Sequence, residues 1–402
     1  MSEYDVIVIG ARVAGSPTAM LLAQRGYNVL LLDRATFPSD TISSHLIHAP
    51  GMAALARWGL AADVVASGCP PVHTYRVDFG EFAIVGRPAG VPGAPVAYAP
   101  RRTFLDKLLV DAAATAGAEV REAFTVDGLV IDDGVVVGVR GRSGGSRPVI
   151  ERARAVIGAD GVRSLVAKTA GAGTYREVPP LEALYLAYWE DLPTSGEFQL
   201  YSRERRGIGL IPTNDDLTVA VVTWGADEFE ANRHDLLGNY LRVFEADPSI
   251  AERVAGARRV TRPVGMLMGN FYRQSFGPGW ALVGDAGYHK DAVTAQGISD
   301  AFRDAEALVA ALDDALSGRR PWDDALAAYQ AARDEATLPM FELTCQLAST
   351  EPPDEETAGL FATIAADPST SAAFAGVIAG TLPVQAFFDP ANLAQQAAPV
   401  RA

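Results

Sequence analysis

Glycines and an acid at the ends of apolar segments are the residues of this chain whose types and spacing could bind a nucleotide. An apolar, largely β-branched run from Tyr4 to Ile9 ends at Gly10, an Ala- and Leu-rich segment begins at Gly15, and a second apolar run ends at Asp33. This order predicts one βαβ unit. Gly10 permits a tight turn, Gly15 lets the helix pack on the strand, and the helix N-terminus attracts a pyrophosphate. The pattern indicates nucleotide binding, with an ordinary βαβ unit as the alternative.

The turn departs from the G-x-G-x-x-G fingerprint at its middle position. Arg12 stands where the second glycine is expected, and its Cβ atom would hinder the approach of the backbone to a phosphate. Two interpretations stay open: the phosphate is displaced, or the guanidinium of Arg12 contacts it. Asp33 lies where a carboxylate accepts hydrogen bonds from the ribose hydroxyls of adenosine.

Composition and charge narrow the classes of ligand. The 402 residues are 49% hydrophobic and 21% charged, which is typical of a soluble globular protein, and the length predicts two or three domains. The formal net charge of -15 opposes binding to nucleic acid or to an anionic membrane. Cys69 and Cys345 lack metal-type spacing, so neither a metal site nor a disulfide framework is expected. A small organic molecule is the expected partner.

The chain carries no sequence signal for export or membrane insertion. The first strand begins at Tyr4, which leaves no room for a cleavable signal peptide. No apolar run reaches the ~18 to 20 residues that a membrane helix needs. We therefore expect a cytoplasmic protein with no membrane partner.

Two later segments repeat the form of a strand, a glycine and an acid. One apolar run reaches Gly158 and is followed by Asp160, and another reaches Gly284 and Asp285 before a helix that starts near Gly297. With three such segments in this order, the chain resembles the FAD-dependent monooxygenases of the para-hydroxybenzoate hydroxylase type. Their superfamily also holds flavin-dependent halogenases and geranylgeranyl reductases. The resemblance covers about residues 4 to 310.

The second and third motifs of that family carry the resemblance. The second, D-G-x-x-S-x-x-R, matches Asp160, Gly161 and Ser164, and the third, G-D-A followed by G-Q-G, matches Gly284, Asp285, Ala286, Gln296 and Gly297. The resemblance implies that Asp285 bonds the ribityl chain of FAD and that the helix near Gly297 directs its positive end at the flavin N1/O2 edge. Arg102 would lie beside the phosphate or ribityl portion. The FAD-binding residues expected in this way are Gly10, Arg12, Val13, Ala14, Gly15, Asp33, Arg34, Arg102, Asp160, Gly284, Asp285, Gln296, Gly297 and Ile298.

Several positions depart from the family pattern. The arginine that normally ends the second motif is Ala167, followed by Lys168, and Ala295 replaces the first glycine of G-Q-G. The usual proline pair of the third motif reads Asp291-Ala292. The wall beside the isoalloxazine ring is therefore altered.

Catalytic residues stay unassigned, with three weak candidates. His45 and His48 lie in a polar loop that leaves the βαβ unit, and such loops often line sites. Solvated histidines in a capped connection are an equally weighted alternative. Lys290 is one of only three lysines, and it is a candidate for a charge placed near substrate or flavin, with a solvated surface group as the alternative.

The predicted fold class is α/β, α+β overall, with three parts. The resemblance implies a Rossmann-like FAD-binding domain of the glutathione-reductase type, formed by residues 1–72, 100–176 and 258–320. An antiparallel sheet in residues 73–99 and 177–257 forms the substrate-binding domain, and residues 321–402 form a C-terminal helical region. The predicted substrate-lining residues are the aromatic side chains Tyr185, Tyr188, Tyr201 and Trp224.

The resemblance implies an oxidoreductase. In the favoured function, a monooxygenase of secondary metabolism uses NAD(P)H as a transient reductant and O2, through a flavin C4a-hydroperoxide, to hydroxylate or epoxidise an electron-rich organic substrate. A separate flavin reductase is an alternative electron source. The other candidate functions are a reductase of carbon–carbon double bonds, like the geranylgeranyl reductases, and a flavin-binding protein without turnover. A halogenase is disfavoured because the W-x-W-x-I-P signature is absent and no lysine precedes Lys107. The sequence leaves the oligomeric state open.

Overall fold

The computed structural model of the protein describes residues 4–349 and 353–389. Residues 350–352 and 390–402 of the predicted C-terminal helical region lie outside the described residues. The strands are β1 (Tyr4–Ile9), β2 (Val29–Leu32), β3 (Pro71–Val72), β4 (Thr74–Asp78), β5 (Ala83–Gly86), β6 (Ala97–Tyr98), β7 (Glu119–Arg121), β8 (Phe124–Asp132), β9 (Val135–Ser143), β10 (Val149–Gly158), β11 (Thr174–Val178), β12 (Glu182–Glu190), β13 (Glu197–Arg203), β14 (Arg206–Pro212), β15 (Thr218–Gly225), β16 (Arg258–Arg259), β17 (Val264–Leu267), β18 (Asn270–Arg273), β19 (Phe276–Gly277), β20 (Trp280–Leu282) and β21 (Tyr288–His289). The helices are α1 (Gly15–Gln24), α2 (Ala49–Arg57), α3 (Ala61–Ala66), α4 (Arg102–Thr115), α5 (Leu165–Ala170), α6 (Phe229–Asn232), α7 (Leu236–Glu245), α8 (Pro248–Ala255), α9 (Gly297–Leu316), α10 (Trp322–Ala348), α11 (Glu355–Ala366), α12 (Pro368–Ile378) and α13 (Val384–Phe387).

The first sheet carries the predicted βαβ unit. Its strands follow the order β19-β20-β10-β1-β2-β7, and β1 runs parallel to both β2 and β10. All four residues of β2 are buried, as expected of a parallel strand covered on both faces. Helices α1 and α9 pack together beside this sheet. The predicted α/β class with a Rossmann-like unit is confirmed.

The second sheet follows the order β16-β12-β15-β14-β13-β4-β5, with β17 also paired to β12. Its central pairs β12–β15, β14–β15 and β13–β14 are antiparallel, as predicted, whereas β13 runs parallel to β4. Strands β16 and β17 join this sheet, although they fall in residues 258–320, which were predicted to belong to the FAD-binding domain. The three domain boundaries stay a prediction.

The C-terminal helices close one side of the second sheet. Helices α11 and α12 pack against β5, and a Cβ atom at Gly86 of β5 would lie 2.3 Å from the backbone oxygen of Ser371 in α12. The inner face of the sheet and these helices share one apolar cluster, which includes Leu186, Phe361 and Phe374. Every helix of the described residues is too short or too polar to cross a bilayer.

Candidate active site

The turn after β1 is built around two glycines. Gly10 has a φ of +101°, and a Cβ atom there would lie 2.3 Å from the backbone oxygen of Ala159. A Cβ atom at Gly15 would lie 1.8 Å from the backbone oxygen of Gly10. The turn therefore tolerates only glycine at these positions, because the backbone of the strand, the helix and the end of β10 come together there. This is the close backbone approach that the sequence predicts for a pyrophosphate site.

The acid at the end of β2 braces the same turn. One carboxylate oxygen of Asp33 accepts a hydrogen bond from the backbone N–H of Ala11 at 2.7 Å, and the other accepts one from Ala35 at 2.7 Å. The Asp33 side chain is half-buried. Its contact with a ribose stays a prediction, as does a role for Arg34, which is exposed beside it.

Arg12 is engaged by a protein acid. Its guanidinium forms an ion pair with Asp106, donates a hydrogen bond to the Ser39 hydroxyl at 3.1 Å and lies over the ring of Phe37. The Nε of Arg102 also donates to Asp106, at 2.9 Å. Asp106 is fully buried and therefore places two guanidinium groups next to the nucleotide turn. Sequence reasoning missed Asp106, although its spacing of four residues from Arg102 on a helix is a signal for such a pair.

The second motif caps a helix. One oxygen of Asp160 accepts hydrogen bonds from the N–H groups of Leu165 and Val166, at 2.7 and 3.2 Å, and Ser164 caps the same helix α5. The other oxygen, Oδ1, is buried and has no hydrogen-bond partner among the described residues. Burial raises the pKa of Asp160, against several hydrogen bonds that lower it.

The arginine missing from the second motif is not replaced by its neighbour, because Lys168 is exposed. Instead, Arg273 from β18 donates to the backbone oxygens of Val162 and Ala286, each at 3.1 Å. It thereby ties the second motif to the third. Sequence reasoning missed Arg273, which lies far from either motif along the chain.

The third motif leaves an acid exposed beside a helix end. Gly284 has a φ of +61°, and a Cβ atom there would lie 2.8 Å from the Ala14 side chain of the first turn. Asp285 is exposed, and it lines a small pocket with Gly284 and Gly297. The space at Gly297 is open, since a Cβ atom built there meets no described atom within 4 Å. The first and third motifs therefore meet at this contact.

Gln296 and Ala295 precede α9. The amide of Gln296 donates to the backbone oxygen of Ile378 at 2.5 Å, so in this structure it holds α12 against the start of α9. Ala295 has a φ of +52°, a region that favours glycine. The alanine that replaces the first glycine of G-Q-G therefore adopts a backbone conformation that suits glycine. Ile298 is buried in a cluster with α2 and α4.

Lys290 belongs to a buried ionic network. Its ammonium pairs with Asp300 and donates to the hydroxyl of Tyr288 at 2.9 Å, and Arg303 donates to both Asp300 and Asp304 at 2.7 Å. Although burial favours the neutral acid, Lys290 and Arg303 lower the pKa of Asp300. Of the two interpretations, the structure therefore excludes the solvated surface group and places the charge next to the Asp285 pocket.

The two histidines join the nucleotide unit to the second sheet. His48 Nε2 donates to the backbone oxygen of Thr294 at 3.0 Å, so Nδ1 accepts from the Tyr75 hydroxyl at 2.7 Å. His45 Nε2 contacts the Tyr188 hydroxyl at 2.6 Å. Burial lowers the pKa of His45 to about 3 and that of His48 to about 4. Both rings are neutral and buried, so the predicted alternative of solvated histidines is wrong.

A cavity of about 430 Å³ lies between the inner face of the second sheet and the C-terminal helices. Its wall includes the loop before α2 and the loop before α9, which also borders the predicted flavin site. The sheet, the C-terminal helices and the two loops thus form four walls, and the residues that line them include Ser43, Leu184, Gly209, Ala292, Leu343 and Phe361. This volume falls within the range typical of sites for one organic molecule.

The predicted substrate aromatics do not line this cavity as a set. Tyr185 and Trp224 stack on each other, with ring centroids 4.7 Å apart, in the cluster on the outer face. Tyr188 points inward but contacts His45. Tyr201 borders the cavity, yet its hydroxyl contacts Gln199 and Arg253. The prediction was based on aromatic character alone. Because side chains alternate between the two faces of a strand, some of these aromatic residues face away from the cavity.

An acid pair at the cavity wall was also missed. The carboxyl groups of Glu182 and Asp291 are in hydrogen-bonding contact, and both residues are buried. Burial, and then the charge of Asp291, raise the pKa of Glu182 well above its usual value. Asp291 accepts a hydrogen bond from the N–H of Val293 at 3.0 Å. The sequence signal was weak: Asp291 replaces a family proline, and Glu182 begins a strand.

The comparisons with known proteins agree with this geometry. Residues 3–342 match the family described as FAD binding domain. The chain belongs to this family. Family membership, the two glycine turns and the exposed Asp285 together make it an FAD-dependent oxidoreductase, as predicted.

Sequence relatives of this flavoprotein include two reductases. It is 31% identical to digeranylgeranylglycerophospholipid reductase of Methanocella arvoryzae over 317 residues, which cover 75% of each chain. The enzyme of the same name from Methanosarcina acetivorans is 29% identical over 74% of this chain and 72% of the relative.

Solved structures show the same fold. A flavin-dependent brominase superposes with a TM-score of 0.83 at 20% identity, covering 98% of this chain and 97% of the other. A myxobacterial chondrochloren halogenase gives 0.79 at 22% identity, with 98% and 95% covered. A probable FAD-dependent monooxygenase from Pseudomonas aeruginosa gives 0.75 at 22% identity, with 89% and 99% covered.

Proposed function

We propose that this flavoprotein is a monooxygenase that hydroxylates or epoxidises an electron-rich organic molecule of secondary metabolism. The observation that carries the proposal is the cavity, because one apolar chamber of organic-ligand size shares the loop 291–296 with the predicted flavin site. Two of the walls are apolar side chains of the inner sheet face and of the C-terminal helices. Such walls exclude water, which protects a reactive oxygen species from side reactions.

The residues assigned to FAD in this proposal follow the three motifs. The Gly10–Gly15 turn and the N-terminus of α1 receive the pyrophosphate, with Val13 and Ala14 in the turn, and Asp33 with Arg34 faces the adenosine ribose. Asp285 accepts from the ribityl hydroxyls, and Gly297 with Ile298 starts the helix that faces the flavin. When bound, FAD supplies the redox and oxygen chemistry, and NAD(P)H or a separate flavin reductase supplies electrons.

The side chains of this protein then bind, orient and shield. Lys290 lines the same small pocket as Asp285 and forms an ion pair with Asp300. His48 is neutral and both of its ring nitrogens are hydrogen-bonded, whereas His45 is neutral and bonded through Nε2 alone. In this proposal their role is to dock the flavin loop on the sheet. A charge and two neutral rings therefore fix the boundary between the cofactor and the cavity.

A second candidate is the reduction of a carbon–carbon double bond. The identity of 31% to a digeranylgeranylglycerophospholipid reductase favours it. A buried acid at the cavity wall also suits this reaction, since adding a hydride to a double bond requires a proton as well. A flavin-binding protein without turnover is the remaining alternative.

Anaerobic and aerobic reactions with NADH or NADPH separate these functions. The purified protein, loaded with FAD, is incubated with electron-rich aromatic compounds and, separately, with polyenes, and products are analysed by mass spectrometry. A gain of one oxygen atom that requires O2 supports monooxygenation, and a gain of two hydrogen atoms without O2 supports the reductase. Flavin that neither NAD(P)H nor a flavin reductase reduces favours the third function.

Asp285→Ala is the matched variant for the cofactor. It should weaken FAD binding by about 1 to 3 kcal/mol, since a hydrogen-bonding acid is lost. Asp132→Ala, which removes an exposed acid at the end of β8, is the control. Unchanged affinity in Asp285→Ala would place this acid outside the flavin site.

A further inference from the structure

Two residues that line the cavity, both on a central strand, have no side chain. Gly207 and Gly209 of β14 pair with Thr223 and Val221 of β15, on the inner face of the sheet. Neither glycine has a positive φ, so the backbone does not require glycine at these positions. Glycine weakens a strand interior and often marks a close approach by a ligand. The pair forms a floor on which a flat molecule can lie.

One ionisable group beside this floor lacks a charge partner. Arg203 and Arg206 border the cavity, but Arg203 pairs with Asp78 and Asp247, and Arg206 pairs with Glu228. Glu182 also borders the cavity, and the neighbour of its carboxyl is another acid, Asp291. Its Oε1 atom is buried without a hydrogen-bond partner among the described residues.

The two acids hold one proton between them. Two carboxylates in contact cannot both stay ionised in a buried site. Burial raises the pKa of both acids, but Asp291 already accepts the N–H of Val293, which favours its ionised form. We therefore assign the shared proton to Glu182, whose O–H group then donates to Asp291. The hydroxyl of Thr223 also contacts the Glu182 carboxyl. Because the O–H group of Glu182 donates to Asp291, the other carboxyl oxygen of Glu182, Oε1, can accept a hydrogen bond from a molecule in the cavity.

We propose that Glu182 is the substrate-recognition residue, and that it accepts a hydrogen bond from the O–H or N–H group of a flat aromatic molecule lying on Gly207 and Gly209. This inference rests on the proposed function for the identity of the reaction, but the recognition itself is a binding property. Phenols and aryl amines are thus the substrate class. These molecules have an electron-rich ring with a large apolar surface, and they carry one group that donates a hydrogen bond.

The test is binding of matched probes to the FAD-loaded protein, followed by the change in flavin absorbance. Phenol, 2-naphthol and 2-aminonaphthalene are compared with benzene and naphthalene. The wild-type protein should bind at least one donor-bearing probe about tenfold more tightly than its parent hydrocarbon, which is the effect of one buried hydrogen bond.

Three variants test whether Glu182 causes the preference for donor-bearing probes. Glu182→Leu should abolish it, whereas Glu182→Gln should retain most of it, because the amide donates to Asp291 and its oxygen stays an acceptor. Gly209→Phe should block all probes, since the ring occupies the floor, while FAD content stays unchanged. A preference that survives in Glu182→Leu with FAD bound would overturn the proposal.

The absence of any preference in the wild-type protein would overturn it equally, including the case in which no probe binds. Should Glu182→Leu fail to fold, Glu182→Gln and Asp291→Asn provide the decision. Asp291→Asn keeps the shape but removes the negative charge that opposes ionisation of Glu182, and an ionised carboxylate is a stronger acceptor. The variant should therefore increase the donor preference without changing FAD content; no increase would count against the proposal. Donor-selective binding without oxygen-dependent product formation would contradict the proposed function and leave this inference standing.

Discussion

The two faces of the second sheet have opposite chemistry. The outer face carries large aromatic side chains, Tyr185, Trp189 and Trp224, which pack on Tyr240 and Phe244 of α7. The inner face, on the same strands, carries Gly207, Gly209 and Glu182 around an open chamber. The inner face also carries aromatic side chains, among them Tyr75, Tyr188 and Phe198, so aromatic area is present on both faces. A search for aromatic residues alone therefore does not identify the binding face of this sheet.

The largest expected effect comes from breaking the packed face. Trp224→Ala removes a fully buried ring, so we expect a loss of about 3 to 5 kcal/mol in the free energy of unfolding. Leu184→Ala, on the cavity face, should cost about 2 kcal/mol or less, because its side chain already borders open space. Urea unfolding followed by circular dichroism measures both. Equal losses would mean that the two faces are equally packed.

Filling the open face should instead abolish ligand binding. Gly209→Phe is expected to weaken probe binding by at least about 100-fold, or about 2.7 kcal/mol, because the ring occupies the cavity floor. Gly209→Ala is the control: its Cβ atom would lie 3.4 Å from Val221, close to ordinary contact, so most of the binding should remain. Titration of flavin absorbance checks both variants. Full binding by Gly209→Phe would move the ligand site away from β14.

His45 and His48 join the nucleotide unit to the inner face of the second sheet, and we expect their burial to make the stability of the protein decrease at acidic pH. His48 stays neutral in the folded protein because burial lowers its pKa to about 4. The charge of Lys290 lowers this pKa further, whereas Asp300 and the hydrogen bond to the Thr294 carbonyl raise it. In the unfolded chain the ring protonates near its ordinary value of 6.5. The stability from His48 is therefore present above pH 6.5 and is lost as the pH falls towards 4, by about 1.4 kcal/mol per pH unit.

The matched comparison is His48→Gln, which keeps a donor for Thr294 but does not titrate. Between pH 7 and pH 5 the wild-type protein should lose about 2 kcal/mol more than this variant. Unfolding in urea at a series of pH values measures the difference. Parallel curves for the two proteins would show that His48 is solvated or charged in the folded state.

The smallest expected effect lies at the rim of the cavity. Ala295 adopts a φ of +52°, so Ala295→Gly should stabilise the protein by up to about 1 kcal/mol, the strain of a left-handed alanine less the added entropy of glycine in the unfolded chain. Ala310→Gly, on the exposed side of α9, should destabilise it by about 1 kcal/mol. Thermal unfolding distinguishes the two signs. A loss in both variants would argue against a strained Ala295.

The sequence by itself determined the nucleotide unit, because its signals are local. The spacing of Gly10, Gly15 and Asp33 specifies a tight turn between a strand and a helix, and the same logic located Asp160 and Asp285. A glycine that must avoid a backbone clash is required whatever the rest of the chain does. The α/β class, the antiparallel second sheet and FAD as cofactor followed from these patterns and from the family resemblance.

Only the tertiary structure decided which groups face each other. Alternation along β12 predicts two faces, but the positions of α7, α11 and α12 decide which face is covered and which one encloses a cavity. Glu182 and Asp291, like Arg12 and Asp106, meet from distant parts of the chain. Their pairing depends on the burial and register of separate elements, and neither quantity is encoded in local spacing.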